Sequence, residues 1–304
     1  MKAEAKENAT KGRLLWLDMN QQELDDAYDQ AVWAPNREHI ATRRRLASER
    51  AIARIGPPRR VAYGPTEIEK LDIYKTKRAN APIMIFIHGG AWKGGAAKDS
   101  AYMAEMYLAA GVNFVIPDFV SVENAGGSLM TMADQVRRAV AWVHKNAASF
   151  GGDPNRLYLS GHSSGGHLGG CVVITDWQKD FGLPADIIKG ALLISGIYDL
   201  KPVRLSKRSR YVNFDDATEQ ALSAERHIDM INMPLIVAHG TLETPEFQRQ
   251  SREFTAAVKA AGKPVEFFVG EGFNHFEMQE TMGNPFGLGG RAALELMKLK
   301  LGDV

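Results

Sequence analysis

The stretch Leu157-Tyr158-Leu159-Ser160-Gly161-His162-Ser163-Ser164-Gly165-Gly166-His167-Leu168 decides the fold of this chain. Residues 157–160 read as a short strand, and a helical stretch over about 164–176 follows the first glycine motif. Between them stands a serine in the pattern G-x-S-x-G. A nucleophile must sit on a sharp turn above the sheet, in a strained backbone. Glycines two residues to either side let strand and helix approach each other closely. The free N–H groups of the helix that begins at Ser164 point to the same place, where a developing oxyanion is favoured. The pattern is common by itself. Its strand–turn–helix setting gives it weight against an ordinary Gly/Ser turn.

Outward from this point the chain alternates. Upstream lie a continuous apolar, β-rich run at 83–87, a helical stretch at 98–110, a strand at 113–116 and a helix at 130–148. Downstream come strands at 191–194, 235–238 and 265–269, with helices at 246–261 and 291–299. Short strands at 61–63 and 71–74 precede them all. The fold class is therefore α/β: a mostly parallel central sheet with helices on both faces. In such a sheet, ligands sit beyond the carboxyl ends of the strands, so functional residues should directly follow strands.

Two helical segments, 21–33 and 36–54, stand before the first strand, and Gly56-Pro57-Pro58 stops the second. Residues 1–59 are read as an N-terminal helical extension whose use as a lid is open, with the first dozen residues disordered. Residues 60–304 are the α/β domain, with a cap-like insertion at about 196–233. The basic run Arg43-Arg44-Arg45 is read as a solvated helix face, with a nucleic-acid patch as the lesser alternative, and 201–210 as a surface or cap excursion, with an acidic-substrate or partner patch as the lesser alternative. Residues 282–290 read as a loop.

The composition excludes several classes of function. Of 304 residues 45% are apolar, and 37 Lys and Arg against 36 Asp and Glu give a formal charge of +1. No bulk field recruits nucleic acid or an anionic membrane. A single cysteine, Cys171, allows no internal disulfide and no cysteine-based zinc site, and is expected to be buried. No apolar run reaches 18 residues, and the N-terminus has no apolar h-region. The expectation is a soluble, cytoplasmic protein that needs no metal or cofactor, binds a small molecule, and has an open question of homodimerisation.

Three further groups carry chemistry. His88-Gly89-Gly90-Ala91-Trp92 follows the 83–87 strand, and a glycine pair there lets backbone N–H groups face a pocket. The segment lacks the Gly-Lys-Ser/Thr ending of a phosphate loop. His275, in Gly272-Phe273-Asn274-His275-Phe276, lies past the 265–269 strand, where a triad in the order Ser, acid, His puts its base. The acid is Glu243 or Asp199, each after a strand, with Glu243 the nearest carboxylate behind 235–238. Glu246 reads as a helix-terminus charge. His88 and His162 are expected to orient backbone, and His239 to pack. His167 lacks the i, i+4 spacing of a zinc helix.

Together HGGAW, GHSSGGHL, SGIYDL, ETPEFQRQSREF and NHFE resemble kynurenine formamidase, or arylformamidase, a family of the α/β-hydrolase superfamily. The resemblance runs from about Leu71 to Glu280, and its T-P-E-F-x-R-Q-S and N-H-F-E segments are more specific than G-x-S-x-G. It implies Ser163 as nucleophile, His275 as base and Glu243 as acid, with Gly89, Gly90 and the N–H of Ser164 as oxyanion donors. Animal members have Asp at the position of Glu243. The loop 117–124 departs from the family's usual aromatic and proline. Trp92, Phe119, His162, Tyr198 and Phe276 are candidates for the substrate pocket, with core packing as the alternative for the four aromatics. The activity implied is metal-independent serine hydrolysis of a small acyl amide or ester with an aromatic leaving group, N-formylkynurenine among the candidates. The alternatives are a general carboxylesterase or amidase and, more remotely, a non-catalytic ligand receptor.

Overall fold

The structure is a computed structural model and describes residues 12–299. The expectation about the first dozen residues falls, except for Gly12, outside that range. Eight strands form one sheet: β1 (Arg59–Ala62), β2 (Lys70–Tyr74), β3 (Ala81–Ile87), β4 (Asn113–Pro117), β5 (Gly152–His162), β6 (Ile188–Ile194), β7 (Leu235–Gly240) and β8 (Val265–Gly270). Their spatial order is β1-β2-β4-β3-β5-β6-β7-β8. β2 is antiparallel to β1 and β4, and every later pairing is parallel.

The apolar run of β3 has a simple cause. Successive side chains of a strand point to opposite faces. Ile83, Ile85 and Ile87 enter one core while Met84 and Phe86 enter the other. β6 divides in the same way, with Ala191 and Leu193 against Leu192 and Ile194. Helices cover both faces, so both sets must be apolar.

Several elements differ from the sequence expectation. β5 starts five residues early, because Gly152 pairs with Ala81 before an irregularity restores the register at Leu157; the polar residues 153–156 hide this half. The helix expected over 21–33 is two, Gln21–Ala27 and Gln30–Trp33. Between them Asp29 caps the Ala31 amide at 3.1 Å, and the Tyr28 carbonyl turns to Arg208, 3.0 Å from Nη2. The stretch 98–110 opens as a 3-10 turn, Ala97–Met103, before the α-helix Ala104–Ala109. The loop expected at 282–290 already contains the start of the helix Leu288–Leu296. The insertion folds into the short helices Lys201–Leu205 and Asp216–Leu222 with 3-10 turns between and after them.

The N-terminal segment is fastened to the α/β domain. Leu24 and Tyr28 join its core. The Tyr28 hydroxyl donates to Glu246 at 2.8 Å, and the Gln250 amide donates to Tyr28 at 2.8 Å. Helix Arg37–Ile55 follows and stops at Gly56, whose φ is +87°. Among the described residues, no helix is long and apolar enough to cross a membrane.

Candidate active site

Ser163 sits between the end of β5 and the helix Ser164–Val173, with φ +60° and ψ −127°. This left-handed conformation is costly for a residue with a Cβ. Its amide donates to the Ile194 carbonyl at the end of β6, 3.0 Å away, which pins the turn to the sheet. The flanking glycines have a steric cause. A Cβ on Gly161 would lie 2.4 Å from the Gly165 carbonyl oxygen, and one on Gly165 would lie 2.1 Å from that of Ile87.

His275 opens the helix His275–Glu280, in the loop beyond β8. Asn274 caps that helix, accepting from the amides of Phe276 and Glu277 at 3.0 and 3.2 Å, and Glu277 accepts in return from the Asn274 amide at 2.9 Å. Asn36 bridges the same loop from the N-terminal segment, donating to Glu277 and accepting from Asn274, both at 2.8 Å. The imidazole so held reaches Ser163: its Nε2 lies 2.7 Å from Oγ. Its Nδ1 lies 2.8 Å from Glu243 Oε2. His162 Nε2 is 2.9 Å from the His275 carbonyl, and a carbonyl only accepts, so His162 carries its proton on Nε2.

Glu243 follows β7 and is buried. Oε1 accepts from the Ser195 hydroxyl at 2.6 Å and from the Gly240 amide at 2.7 Å, and the Gln30 amide donates to Oε2 at 3.3 Å. Asp199, the competing carboxylate, faces Arg226 at 3.2 Å instead. Burial pushes the Glu243 carboxyl up, while the bonds from Ser195 and Gly240 hold it down. Burial also drives His275 well below the ordinary imidazole value, and the guanidiniums of Arg208 and Arg44 add to this. The imidazole is therefore neutral, the form that accepts a proton.

Gly89 and Gly90 follow β3 and run against the serine turn. A Cβ on Gly89 would lie 2.9 Å from the His162 carbonyl oxygen and 3.0 Å from Ser163 Cβ. Gly90 has φ +126°, and a Cβ there would lie 2.1 Å from the Gly94 carbonyl oxygen. Neither amide donates to another backbone group in this turn. Ser164 is the first residue of its helix, so its amide has no acceptor within it. His88 stacks on Phe119 with ring centroids 4.4 Å apart, and its Nδ1 lies 2.9 Å from the Gly89 carbonyl.

A cavity of about 990 Å³ opens over these groups, and Ser163, His162, His275 and Phe276 all line it. Trp92, Phe119 and Tyr198 do not, which corrects their assignment to the substrate pocket. Large rings placed just after buried strands are drawn into the cores. Trp92 is 1% exposed and donates from Nε1 to His167 at 3.2 Å. Tyr198 stacks on Phe254 with centroids 4.1 Å apart. In their place the cavity wall contains Tyr28, Gln30 and Arg44 from the N-terminal segment and Lys207, Arg208 and Tyr211 from the insertion. The two basic runs are the available signal. Their charge reads as solvated until the tertiary fold turns Arg44 and Arg208 inward.

The sheet order, with a serine turn directly beyond a central strand, is the α/β-hydrolase fold. The BD-FAE family model matches residues 71–189. A solved protein structure from Silicibacter sp. tm1040 superposes with a TM-score of 0.78 at 19% identity, covering 90% of this chain and 98% of that one. The kynurenine formamidase of Danio rerio is 30% identical over 281 residues, 88% of this chain and 93% of its own length. That of Salmo salar is 31% identical over 286 residues with the same coverage. The chain belongs to the kynurenine formamidase family.

Proposed function

We propose that this chain is a serine hydrolase cleaving a small acyl amide or ester with an aromatic leaving group, and that N-formylkynurenine is the first substrate to test. The observation that carries the reading is the buried run from Ser163 Oγ through His275 to Glu243, with contacts of 2.7 and 2.8 Å. In this mechanism His275 Nε2 takes the Ser163 proton as Oγ bonds to the acyl carbon. The carbonyl electron pair moves to oxygen, which the amides of Gly89, Gly90 and Ser164 receive. His275 returns the proton to the leaving nitrogen or oxygen as its bond to the acyl carbon breaks. Water, deprotonated by His275, then cleaves the acyl-enzyme and restores Ser163. Glu243 holds the imidazole in the tautomer that presents Nε2 to the serine and stabilises the imidazolium. The relatives named above support a formyl amide as substrate.

The test is turnover of N-formylkynurenine beside matched aryl esters and amides, with Ser163→Ala as control. Formyl-amide turnover that disappears in the variant is the expected result. Turnover of esters alone would support a general carboxylesterase on the same triad. Equal inactivity of both proteins across the panel would overturn the catalytic reading.

A further inference from the structure

Two arginines in the cavity wall have no carboxylate within 4 Å among the described residues, and each has a buried N–H without an acceptor. Arg208 is 5% exposed and lies among the rings of Trp92, Phe247 and Tyr28, which are 5.0, 5.8 and 5.9 Å from its guanidinium carbon. Its Nε and Nη2 both donate to the Tyr28 carbonyl, at 3.2 and 3.0 Å. Its Nη1 is buried and has no partner, and the same holds for Nε of Arg44.

The other charged groups around the cavity are engaged. Lys207 pairs with Asp29 at 2.6 Å, Lys93 with Glu123 at 3.1 Å and Arg45 with Glu49 at 2.6 Å. Arg210 approaches Asp25 at 3.9 Å, and Asp99 accepts from the Ala96 amide at 3.1 Å. Among the described residues, neither Arg44 nor Arg208 has a carboxylate within 4 Å; the Arg208 charge helps to lower the Asp29 carboxyl from farther off, and Arg44 lies against the Tyr102 hydroxyl. A buried guanidinium N–H without an acceptor is costly, and a ligand carboxylate would supply both the missing acceptor and the opposite charge. Both guanidiniums are near enough to His275 to disfavour its protonation.

We propose that the cavity binds its substrate through a carboxylate carried by the substrate and held by Arg208 and Arg44. For its effect on turnover the proposal rests on the hydrolase reading; for binding it does not. A carboxylate there completes the donor sets of two planar guanidiniums, whose geometry suits it. It also offsets the repulsion that both cations exert on the imidazolium formed when Ser163 loses its proton. The field then favours turnover of anionic substrates twice, in binding and in the chemical step.

Two pairs of esters test this and locate the carboxylate. 3-Acetoxybenzoate against 3-acetoxybenzamide puts it on the leaving group. Mono-4-nitrophenyl adipate against its methyl ester puts it on the acyl group. The wild-type protein should favour the anionic member of one pair by about 10- to 100-fold in kcat/KM, the worth of a charge-assisted hydrogen bond. Arg208→Gln and Arg44→Gln should each shrink that ratio, whatever they do to the neutral ester. Should Arg208→Gln fail to fold, calorimetry of benzoate and benzamide on wild type and Arg44→Gln replaces it. Saturable benzoate binding, weaker in Arg44→Gln and absent for benzamide, supports the site. Ratios near one in both ester pairs, or equal binding of benzoate and benzamide, overturn it. If the wild type cleaves no ester, the benzoate comparison alone decides the anion site, and the hydrolase reading falls only if the formyl amide is not cleaved either.

Discussion

The floor of the cavity and its wall are held by different forces. Ser163, Gly89, Glu243 and His275 each follow a strand of one sheet, and short turns leave little choice of where they go. Ser163 is tied by its own amide to β6, and Gly89 is pressed against the serine turn. The wall comes from residues 28–44 and 207–211, far apart in the chain. Side-chain contacts hold it, such as Lys207 to Asp29, Arg208 to the Tyr28 carbonyl and Asn36 to Glu277. The difference teaches where each property resides. On the proposed mechanism, chemistry that tolerates little misplacement would belong to the rigid floor. On the same reading, selectivity would belong to a wall that can change side chains without disturbing the sheet.

The sharpest way to break this division is to remove a floor group. Ser163→Ala or His275→Gln should lower kcat on an aryl ester by about 10⁴- to 10⁶-fold, as loss of the nucleophile or base does elsewhere. Circular dichroism should remain native. A residual rate within tenfold of wild type would mean that the nucleophile lies elsewhere.

Glu243→Gln comes next, with an expected loss of about 10³- to 10⁴-fold in kcat, because the amide no longer accepts from His275 with a full charge.

Ser195→Ala tests whether the support of the acid matters. Ser195 is buried with φ +54°, and its hydroxyl makes the 2.6 Å bond to Glu243. Its loss should cost about tenfold in kcat. That bond holds the Glu243 carboxyl down, so without it the carboxyl stays protonated to higher pH. The acid limb of the rate profile should then move up. A lower Tm with an unmoved limb would reduce Ser195 to packing.

Asn36→Ala probes the point where wall and floor meet. It removes two hydrogen bonds to the His275 loop and should cost about 1–2 kcal/mol of stability by thermal unfolding. A few-fold fall in kcat with KM steady would show that this part of the wall positions the base. The smallest effect is expected of Arg44→Gln on a neutral ester. Burial and two cations hold His275 down, so the wild-type acid limb should lie below the ordinary imidazole range. Removing one cation raises the His275 pKa and shifts that limb to higher pH. A shift to lower pH would contradict the assigned electrostatics.

Much of the floor is legible in the amino-acid sequence. Gly161 and Gly165 read there as room for a close approach, and the clashes a Cβ would make at both positions give the same cause. Glu243 is preferred to Asp199 for its place behind a strand, and the geometry puts it on His275. Aromatic residues are harder. Trp92, Phe119 and Tyr198 stand where pocket residues stand in the chain, yet a ring beside a buried strand gains more from the core than from a cavity.

By itself, the sequence determined the alternation of strands and helices, the strained serine turn and the order of serine, acid and histidine. These are local patterns, set by side-chain period, glycine sterics and position relative to strand ends. Only the tertiary structure decided that Gln30 reaches Glu243, that Asn36 ties down the histidine loop, and that Arg208 is buried among three rings with a free Nη1. Those facts depend on segments far apart in the chain coming together. A charge in a basic run looks the same in the chain whether it faces water or a cavity, and only packing tells the two apart.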